Sequence, residues 1–452
     1  MKKRSIALLL ALALVLSLCA VTAVAGEQAK VDQTAEEPAG ETLTILAAPE
    51  TDPETGEVIE SVTVEPDAVG TVSFANLESR MRANNLTILT LDQTIDMLED
   101  IDYKQVEDDL RDAVNEAVSM QAKASQGVGL VYNIMSPSSV IGMYNPVGAQ
   151  MALSSMQQQY DALKEQFEAV RDGELQEDNA GKLRQLRATQ DQLVLAGEST
   201  YIALSALETQ EDALQRQLNA LNRTVEELEL RYQMGQISAL QLQQAKSGRS
   251  QLSSGLETLS MNIRNLKYQF ELLLGADQTG EITLGPVPEV TEKQLAAMDL
   301  EQDLLTYKAK SYDLYAAAKT LEDAQEAYKD DADEYGYNED KVEVRNYKRT
   351  WQAAQYTYNS TVQDYELKFR TLYAQVQDYM QILDAAKVSL ECEKTSCAAS
   401  ELKYKQGTIS QNALLDARDS LKEAEEKVQS AASDLFSSYN TYCWAVEHGV
   451  LN

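Results

Sequence analysis

The sequence predicts a mainly α protein made of two tandem long antiparallel helical hairpins. Three observations carry that reading. Glycine and proline are sparse, at 20 and 8 in 452 residues, which disfavours a loop-rich all-β chain and favours long helices. Long stretches place their apolar residues with a period of about 3.5, the spacing of one helix packed along another. The octet Arg231-Tyr232-Gln233-Met234-Gly235-Gln236-Ile237-Ser238 recurs as Lys403-Tyr404-Lys405-Gln406-Gly407-Thr408-Ile409-Ser410 at a constant offset of 172 residues.

Residues 1–25 have the order of a signal peptide: Lys2, Lys3 and Arg4, an apolar run from Ile6 to Leu16, and Ala23-Val24-Ala25 before Gly26. Cys19 raises a lipoprotein alternative, but Leu18 stands where a lipobox needs a small side chain. The expected product is an exported chain with residues 26–70 as an acidic N-terminal arm. The arm reads equally as a small hairpin or as disordered. Past the leader no apolar run is long enough for a second transmembrane helix.

The first helical repeat is expected over 71–275. Helix starts near Phe74, an extended Asn84-Asn85-Leu86-Thr87-Ile88 interrupts it, and Asp92 is read as the cap of the next helix, to about Ala124. Residues 126–147 hold glycines and prolines and read as a connector with room for one or two short strands. A long helix from about Ala149 to Tyr232 has its weak point between Gly173 and Gly181. Its seam runs through Leu204, Leu207, Leu214, Leu218, Leu221, Val225 and Leu228. After a tip at 233–238 the seam restarts with Ala245, Leu252, Leu256, Leu259, Ile263, Leu266 and Phe270, and stops near Leu274-Gly275. A linker, 276–290, follows.

The second repeat is expected over 291–447. One helix covers Thr291 to Tyr328, and Asp330 to Asp340 form an acidic turn around Gly336. The next seam passes Leu372, Val376, Tyr379, Leu383, Ala386 and Leu390, breaks at a tip over 405–410, and resumes with Leu414, Ala417, Leu421, Ala424, Val428, Ala431 and Leu435. The tip match extends past the turn, with Leu242 against Leu414 and Ala245 against Ala417, which marks an internal repeat. A weaker echo aligns Asn76 to Leu86 with Gln294 to Leu304. At each tip glycine ends one helix and serine caps the next. The same residues serve equally a good turn or a protein-docking site. A limb of about fifty residues is roughly 75 Å long. Four such limbs leave lateral faces that copies of the chain could cover, and a closed ring of them would enclose a channel.

The formal net charge is −33, and loss of the leader's three cations takes it to about −36. Such a field repels nucleic acid and anionic membranes; it serves a solvated surface, or cation preference in a channel. The chemistry of a catalyst is missing. The lone histidine, His448, sits near the C-terminus, no P-loop or dinucleotide fingerprint stands between strand and helix, and the carboxylates are spread along helix faces. The acidic run Asp330, Asp331, Asp333, Glu334 lacks the order of an EF-hand loop. Cys392, Cys397 and Cys443 are an odd set outside the leader, with the first two roughly 8 Å apart on one helix, beyond disulfide reach. The expectation is no enzyme and no cofactor or metal.

The paired tips, the Asn84-Asn85-Leu86 element and the two-fold repeat resemble the TolC-type outer-membrane efflux protein family, over about residues 74–447. The resemblance implies a homotrimer whose hairpins form an α-helical barrel. It implies tips that meet a periplasmic adaptor (membrane fusion) protein and, through it, an inner-membrane or ABC-type transporter. By this likeness Tyr232, Gly235, Ile237 and Ser238, with Tyr404, Gly407, Ile409 and Ser410, are the adaptor-docking positions. Asp416 falls at an acidic entrance-gate position, and Ala413 stands where the family pattern has a second acid; a plain solvated Asp416 reads equally well. The family inserts two strands per repeat into the outer membrane. A membrane strand needs about 9–11 residues, and the Asp330-to-Asp340 turn cannot supply them. The expectation is therefore a relative with little or no β-barrel, placed in the cell envelope. The function implied is a passive export duct of a tripartite-type efflux or secretion system. The alternative is a non-conducting helical stalk or spacer of the envelope.

Overall fold

The computed structural model describes residues 67, 68, 70–134, 146–338 and 340–450, without the side chains of 124–134, 146–153, 306 and 307. Every described residue belongs to one unit, within Val64–Asn452. The leader, Cys19 and nearly all of the acidic arm lie outside the described residues.

The elements in order are β1 (Thr71–Val72), α1 (Phe74–Asn84), α2 (Leu86–Glu99), α3 (Tyr103–Ile134), α4 (Pro146–Arg171), α5 (Glu174–Gln233), α6 (Ala239–Leu273), β2 (Thr283–Leu284), α7 (Glu292–Ala296), α8 (Leu300–Tyr307), α9 (Tyr312–Glu334), α10 (Val342–Lys405) and α11 (Gln411–His448). A 3-10 turn, Lys308–Lys310, separates α8 from α9. The fold is helical, as expected. Among the described residues the only strands are β1 and β2, paired in parallel, and no closed barrel is present.

The two long hairpins are α5 with α6 and α10 with α11. Their descending limbs have 60 and 64 residues, roughly 90 and 96 Å of helix, and the returning limbs have 35 and 38. The excess of each descending limb continues beyond the end of its partner, where α9 packs on α10 and, ahead of α5, α3 packs on α4. Each repeat therefore carries a second, shorter hairpin away from the tips. Arg111 of α3 lies over the Phe167 ring of α4, 5.7 Å from its centroid. Tyr328 of α9 stacks on Trp351 of α10 at 5.5 Å.

The seam residues behave as their spacing requires. Leu204, Val225, Ile263, Phe270, Leu372, Val376, Leu383, Leu414, Ala424, Ala431 and Leu435 are buried, while Leu207, Leu214, Leu218, Leu252, Leu256, Tyr379 and Leu390 are half-buried. The two cores lie where the returning limbs end. One gathers Leu77, Met81, Ile88, Tyr201, Phe270, Leu274 and Trp444, the other Leu304, Phe369, Leu372, Leu435 and Tyr442. The Tyr201 hydroxyl donates to the Gly285 carbonyl at 2.6 Å and ties α5 to the strand pair.

Several boundaries differ from those read in the sequence. Only Asn85 is extended between α1 and α2; its side chain accepts from the Thr87 and Ile88 amides at 2.9 and 3.1 Å and donates to Leu273 O at 2.7 Å. Asp92 is interior to α2 and accepts from Gln190 at 2.7 Å; the next cap is Asp102, which accepts from the Lys104 and Gln105 amides. Residues 126–134, read as connector, continue α3, because a run without proline has nothing to stop it; 135–145 lie outside the described residues. The break between α4 and α5 falls at Gly173, φ +88, while Gly181 is accommodated within α5. The single helix expected from Thr291 to Tyr328 is three helices and a 3-10 turn, restarted by caps at Thr291, Asp299 and Ser311. Asp330, Asp331, Asp333 and Glu334 belong to α9, not to the turn after it.

The weak echo between 76–86 and 294–304 is not the equivalence that the packing makes. Gly275 ends α6 at φ +64 against the backbone of Asn84, and Gly449 ends α11 at φ +70 against the backbone of Lys310 and Ser311. The caps Asn85 and Ser311 then start the helices that lead away from the tips. A methyl group on Gly275 would stand 2.2 Å from Asn84 O, a main-chain atom that cannot swing aside. Gly275→Ala is therefore expected to cost about 2 kcal/mol or more, since left-handed strain of about 1–2 kcal/mol adds to the clash. Denaturant unfolding of the purified variant measures it.

A polar cluster joins the two repeats near these glycines. The buried Glu198 of α5 accepts from Asn440 and from the Trp444 indole of α11, both at 2.6 Å. Burial pushes its carboxyl up, and these two donors oppose that shift. Asp191, also of α5, accepts from Arg82 of α1 at 2.8 Å and faces His448 Nδ1 at 3.0 Å. The hydrogen bond to Asp191 pulls His448 upward, with Glu447 and Glu78 adding to it. A histidine raised on folding stabilises fully below its unfolded value of about 6.5 and loses that contribution as pH climbs through the folded value. The melting-temperature advantage of the wild type over His448→Gln should accordingly be larger at pH 6 than at pH 9.

Candidate functional site

The two hairpin tips are the sequence-derived candidate, and they share one hydrogen-bonding plan. At the first, the Gly235 amide donates to Tyr232 O at 2.9 Å and the Gln236 amide to Arg231 O at 2.8 Å. At the second, the Gly407 amide donates to Tyr404 O at 2.8 Å and the Thr408 amide to Lys403 O at 2.9 Å. Each pair is a Schellman closure, which satisfies the last carbonyls of a helix and requires a left-handed residue at its centre. Both glycines have φ +71, and nothing lies within 4 Å of where a Cβ would be. The demand for glycine is therefore conformational and not steric.

The following serines start the returning limbs. Ser238 Oγ accepts from the Gln241 amide at 3.3 Å while Gln241 Oε1 accepts from the Ser238 amide at 3.0 Å, a complete capping box. Ser410 Oγ accepts from the Ala413 amide at 3.2 Å. Thr408 adds its hydroxyl to Lys403 O at 2.8 Å. Ile237 and Ile409 are half-buried. Tyr232 and Tyr404 are 45% and 41% exposed; the last helical turn has no opposing limb to cover it, since the returning limb's first inward residue is Leu242 or Leu414. Around them Leu230, Met234, Leu240 and Leu402 are each about 60% or more exposed. The tips thus combine a rigid main-chain bend with a cluster of uncovered large apolar side chains.

Asp416 stands above the second tip, exposed, with a carboxylate oxygen 3.5 Å from Arg223 of α5. Asp419 pairs with the same guanidinium at 2.5 Å, and the two carboxylates hold Arg223 more firmly protonated. The expected gate acid is therefore one member of a bridge between hairpins. Arg216 and Glu426 form a second such bridge higher up. Sequence reasoning passed over Arg223, Asp419, Arg216 and Glu426, although a signal was present. Arg223 and Asp419 are each twelve residues from their turn glycine, and Arg216 and Glu426 each nineteen. Opposite charges at equal distances from Gly235 and Gly407 place the two tips level.

The four limbs lie in the order α6, α5, α11, α10, since α5 packs on α6 and on α11, and α11 on α10. The outer members α6 and α10 are edges. Away from its buried side α6 exposes Leu240, Met261 and Leu272, and α10 exposes Tyr356, Leu367, Ile382, Val388 and Leu402, opposite Tyr365, Phe369, Val376 and Leu383. Each edge helix therefore carries exposed large apolar residues on an otherwise polar outer face. Among the described residues no helix is long and apolar enough to cross a membrane, and no group of three or more His, Cys, Asp or Glu residues is placed to hold a metal ion. Cys392, Cys397 and Cys443 are free.

No protein-family model matches the sequence, and no curated protein is detectably similar to it. Its structural neighbours are outer-membrane channels of the TolC type. The outer membrane protein VceC of Vibrio cholerae is 13% identical, with 82% of this chain and 95% of that one covered at a TM-score of 0.43. CusC is 14% identical, with 83% and 96% covered at 0.46. The MtrE outer membrane channel of Neisseria gonorrhoeae is 11% identical, with 81% and 88% covered at 0.38.

Proposed function

We propose that this chain is the protomer of a passive export duct in the cell envelope, working in a tripartite-type efflux or secretion system. The observation that carries the proposal is the row of four limbs with two unlike edges, each exposing large apolar residues, and two level tips. Packing α6 on α6 of another copy either reverses the direction of the tips or turns the inner face of the row outward, whereas α10 of a neighbour continues the row. Unlike edges make a heterologous contact, which closes into a ring when the rotation allows. A homotrimer is the closure that the family resemblance implies. Its wall would be helical throughout, with the lumen along the hairpins and the tips together at one end.

In this reading the tips dock an adaptor protein, which links the duct to an inner-membrane or ABC-type transporter. Tyr232, Ile237, Tyr404 and Ile409 supply apolar contact on bends held by Gly235, Ser238, Gly407 and Ser410. Asp416 lines the entrance beside Arg223. The duct needs no catalytic group of its own.

Ring closure is checked by disulfide trapping. Met261 is 26 residues past Gly235 and Ile382 is 25 before Gly407, so the proposed contact brings them to one height on neighbouring copies. With the exposed Cys392 replaced by serine, the double variant Met261→Cys, Ile382→Cys should cross-link up to trimers, and neither single variant should. Monomers only, or a dimer trapped by Met261→Cys alone, would instead support the non-conducting stalk or spacer.

Docking is checked at the turns. Gly235→Val with Gly407→Val forces a β-branched residue into the left-handed region, at about 1–2 kcal/mol per site. Co-purification with the adaptor should be lost while far-UV circular dichroism retains nearly all of the helicity. Undiminished adaptor capture would remove the docking role.

A further inference from the structure

One end of the first repeat is without charge. One residue in four of the chain is Asp, Glu, Lys or Arg, yet none of these, and no histidine, occurs from Ala124 to Tyr160. The run takes in the last part of α3, Ala124 to Ile134, and the first part of α4, Pro146 to Tyr160. The two helices lie antiparallel and in register. Tyr103 accepts from Asn179 at 3.1 Å, Arg111 lies over Phe167, and Gln121 donates to Gln157, so each step along α3 is matched by a step back along α5 and α4. Ala124 to Ile134 therefore stands beside the start of α4, and at 1.5 Å per residue this shared end is about 16 Å tall. Three helical turns cover every face, so charge is missing all round and not from one side only. It returns at once nearer the tips, with Lys123 on α3 and Asp161 and Lys164 on α4. α4 packs chiefly on α3 and α5, so the second repeat does not clasp this end. The corresponding end of the second repeat has the opposite character, with Asp330, Asp331, Asp333 and Glu334 closing α9 and Glu343 opening α10.

We propose that the charge-free end of the α3–α4 hairpin seats in one leaflet of a phospholipid bilayer and holds the end of the molecule away from the tips there. The inference is independent of the duct reading, since a stalk would be held in the same way. Three constraints favour lipid over a protein occupant. A helix pair docked on protein meets it on one side and keeps charge on the side that faces water; here no side keeps any, and hydrocarbon excludes charge from every direction. Within both helices the backbone is bonded to itself, as an apolar medium requires. The height also fits: the hydrocarbon core of a bilayer is about 30 Å thick, so about 16 Å is one leaflet. That depth agrees with the absence, among the described residues, of a helix long and apolar enough to cross a membrane. The net charge of −33 keeps the rest of the chain from anionic surfaces, and this end is the part able to approach one. Val128, Leu130, Val131 and Ile134 of α3, with Val147, Met151 and Leu153 of α4, supply the apolar area. Lys123 stands at the border, where a lysine meets headgroup phosphate.

The test uses the full exported chain from Gly26, because the apolar leader would itself bind lipid, with phosphatidylcholine vesicles. The protein should float with the vesicles in a density gradient. Leu130→Glu with Ala149→Glu, with helicity unchanged by circular dichroism, should cut the floating fraction at least ~10-fold, since an acid in hydrocarbon is costly. Val118→Glu, at an exposed site nearer the tips, should float like the wild type. Hydrogen exchange on the unaltered chain gives a reading that depends on no variant: vesicles should slow exchange within 124–134 and 146–160 and leave 233–238 and 405–410 unchanged. A chain that stays below the vesicles overturns the proposal, as does a doubly acidic variant that still floats with them. Slowed exchange of the same two helices on raising protein concentration without lipid also overturns it and assigns the end to a second copy. None of these outcomes bears on ring closure, which the Met261→Cys, Ile382→Cys cross-link reads separately.

Discussion

Everything else in the structure depends on the contact between α5 and α11. Those helices belong to different repeats, and theirs is the main contact between the two long hairpins. The bonds along it sort by magnitude. Arg223 with Asp416 and Asp419 lies near solvent, where such pairs contribute about 0–1 kcal/mol. Glu198 is 5% exposed, and its two donors come from Asn440 and the Trp444 indole. Charge-assisted bonds of that kind are roughly twice as strong as neutral ones, but they offset a large desolvation cost. The net gain in stability is small. What the contact provides is register: a slip of one helical turn would strand Glu198 without partners in the core and separate both charged pairs at once.

That register is what makes the tips a single feature. Trp444 lies 37 residues past Gly407, and Glu198 lies 37 before Gly235. The same equality holds for the two charged pairs lower down. One vertical alignment, fixed near the ends of the returning limbs, therefore carries without drift to the tips. The rigid helices transmit it, since each limb is long and unbroken from the polar cluster to the turn.

How much of this could be read from the sequence depended on whether the information was local. The octets around Gly235 and Gly407 state their own geometry, because a Schellman turn and a serine cap are decided within eight residues. The seams through Leu204 and Leu372 are periodic and equally plain. Caps set by packing were misplaced. Asn85 caps α2 while its amide bonds to Leu273 O, far away in sequence, and Asp92, an acceptable cap by type, is spent on Gln190 instead. The single helix read over Thr291–Tyr328 failed because Asp299 and Ser311 fit a helix interior tolerably, and only the fit against α10 and α11 makes them caps. The candidate Asp416 was found through resemblance alone, and its partner Arg223 needed the repeat itself to be used as a ruler. Tyr328 and Trp351 read as helical, but their stacking between α9 and α10 depends on where the turn between those helices falls, which is set by packing.

Two level, matching tips on one chain change the energetics of docking. A single bend of a few exposed side chains is too small to hold a partner tightly, since stable interfaces bury about 1,200–2,000 Å² in total. In the proposed trimer six tips share one rim. A partner ring that engages several at once gains effective concentration, and its avidity exceeds the single-tip affinity by about 10²–10⁴ when the geometry permits simultaneous contact. That advantage disappears if the tips stand at different heights. The equal spacings from Gly235 and Gly407 to Arg223, Asp419, Arg216 and Glu426 are thus more than a folding convenience: they keep every weak contact in one plane, where weak contacts can act together.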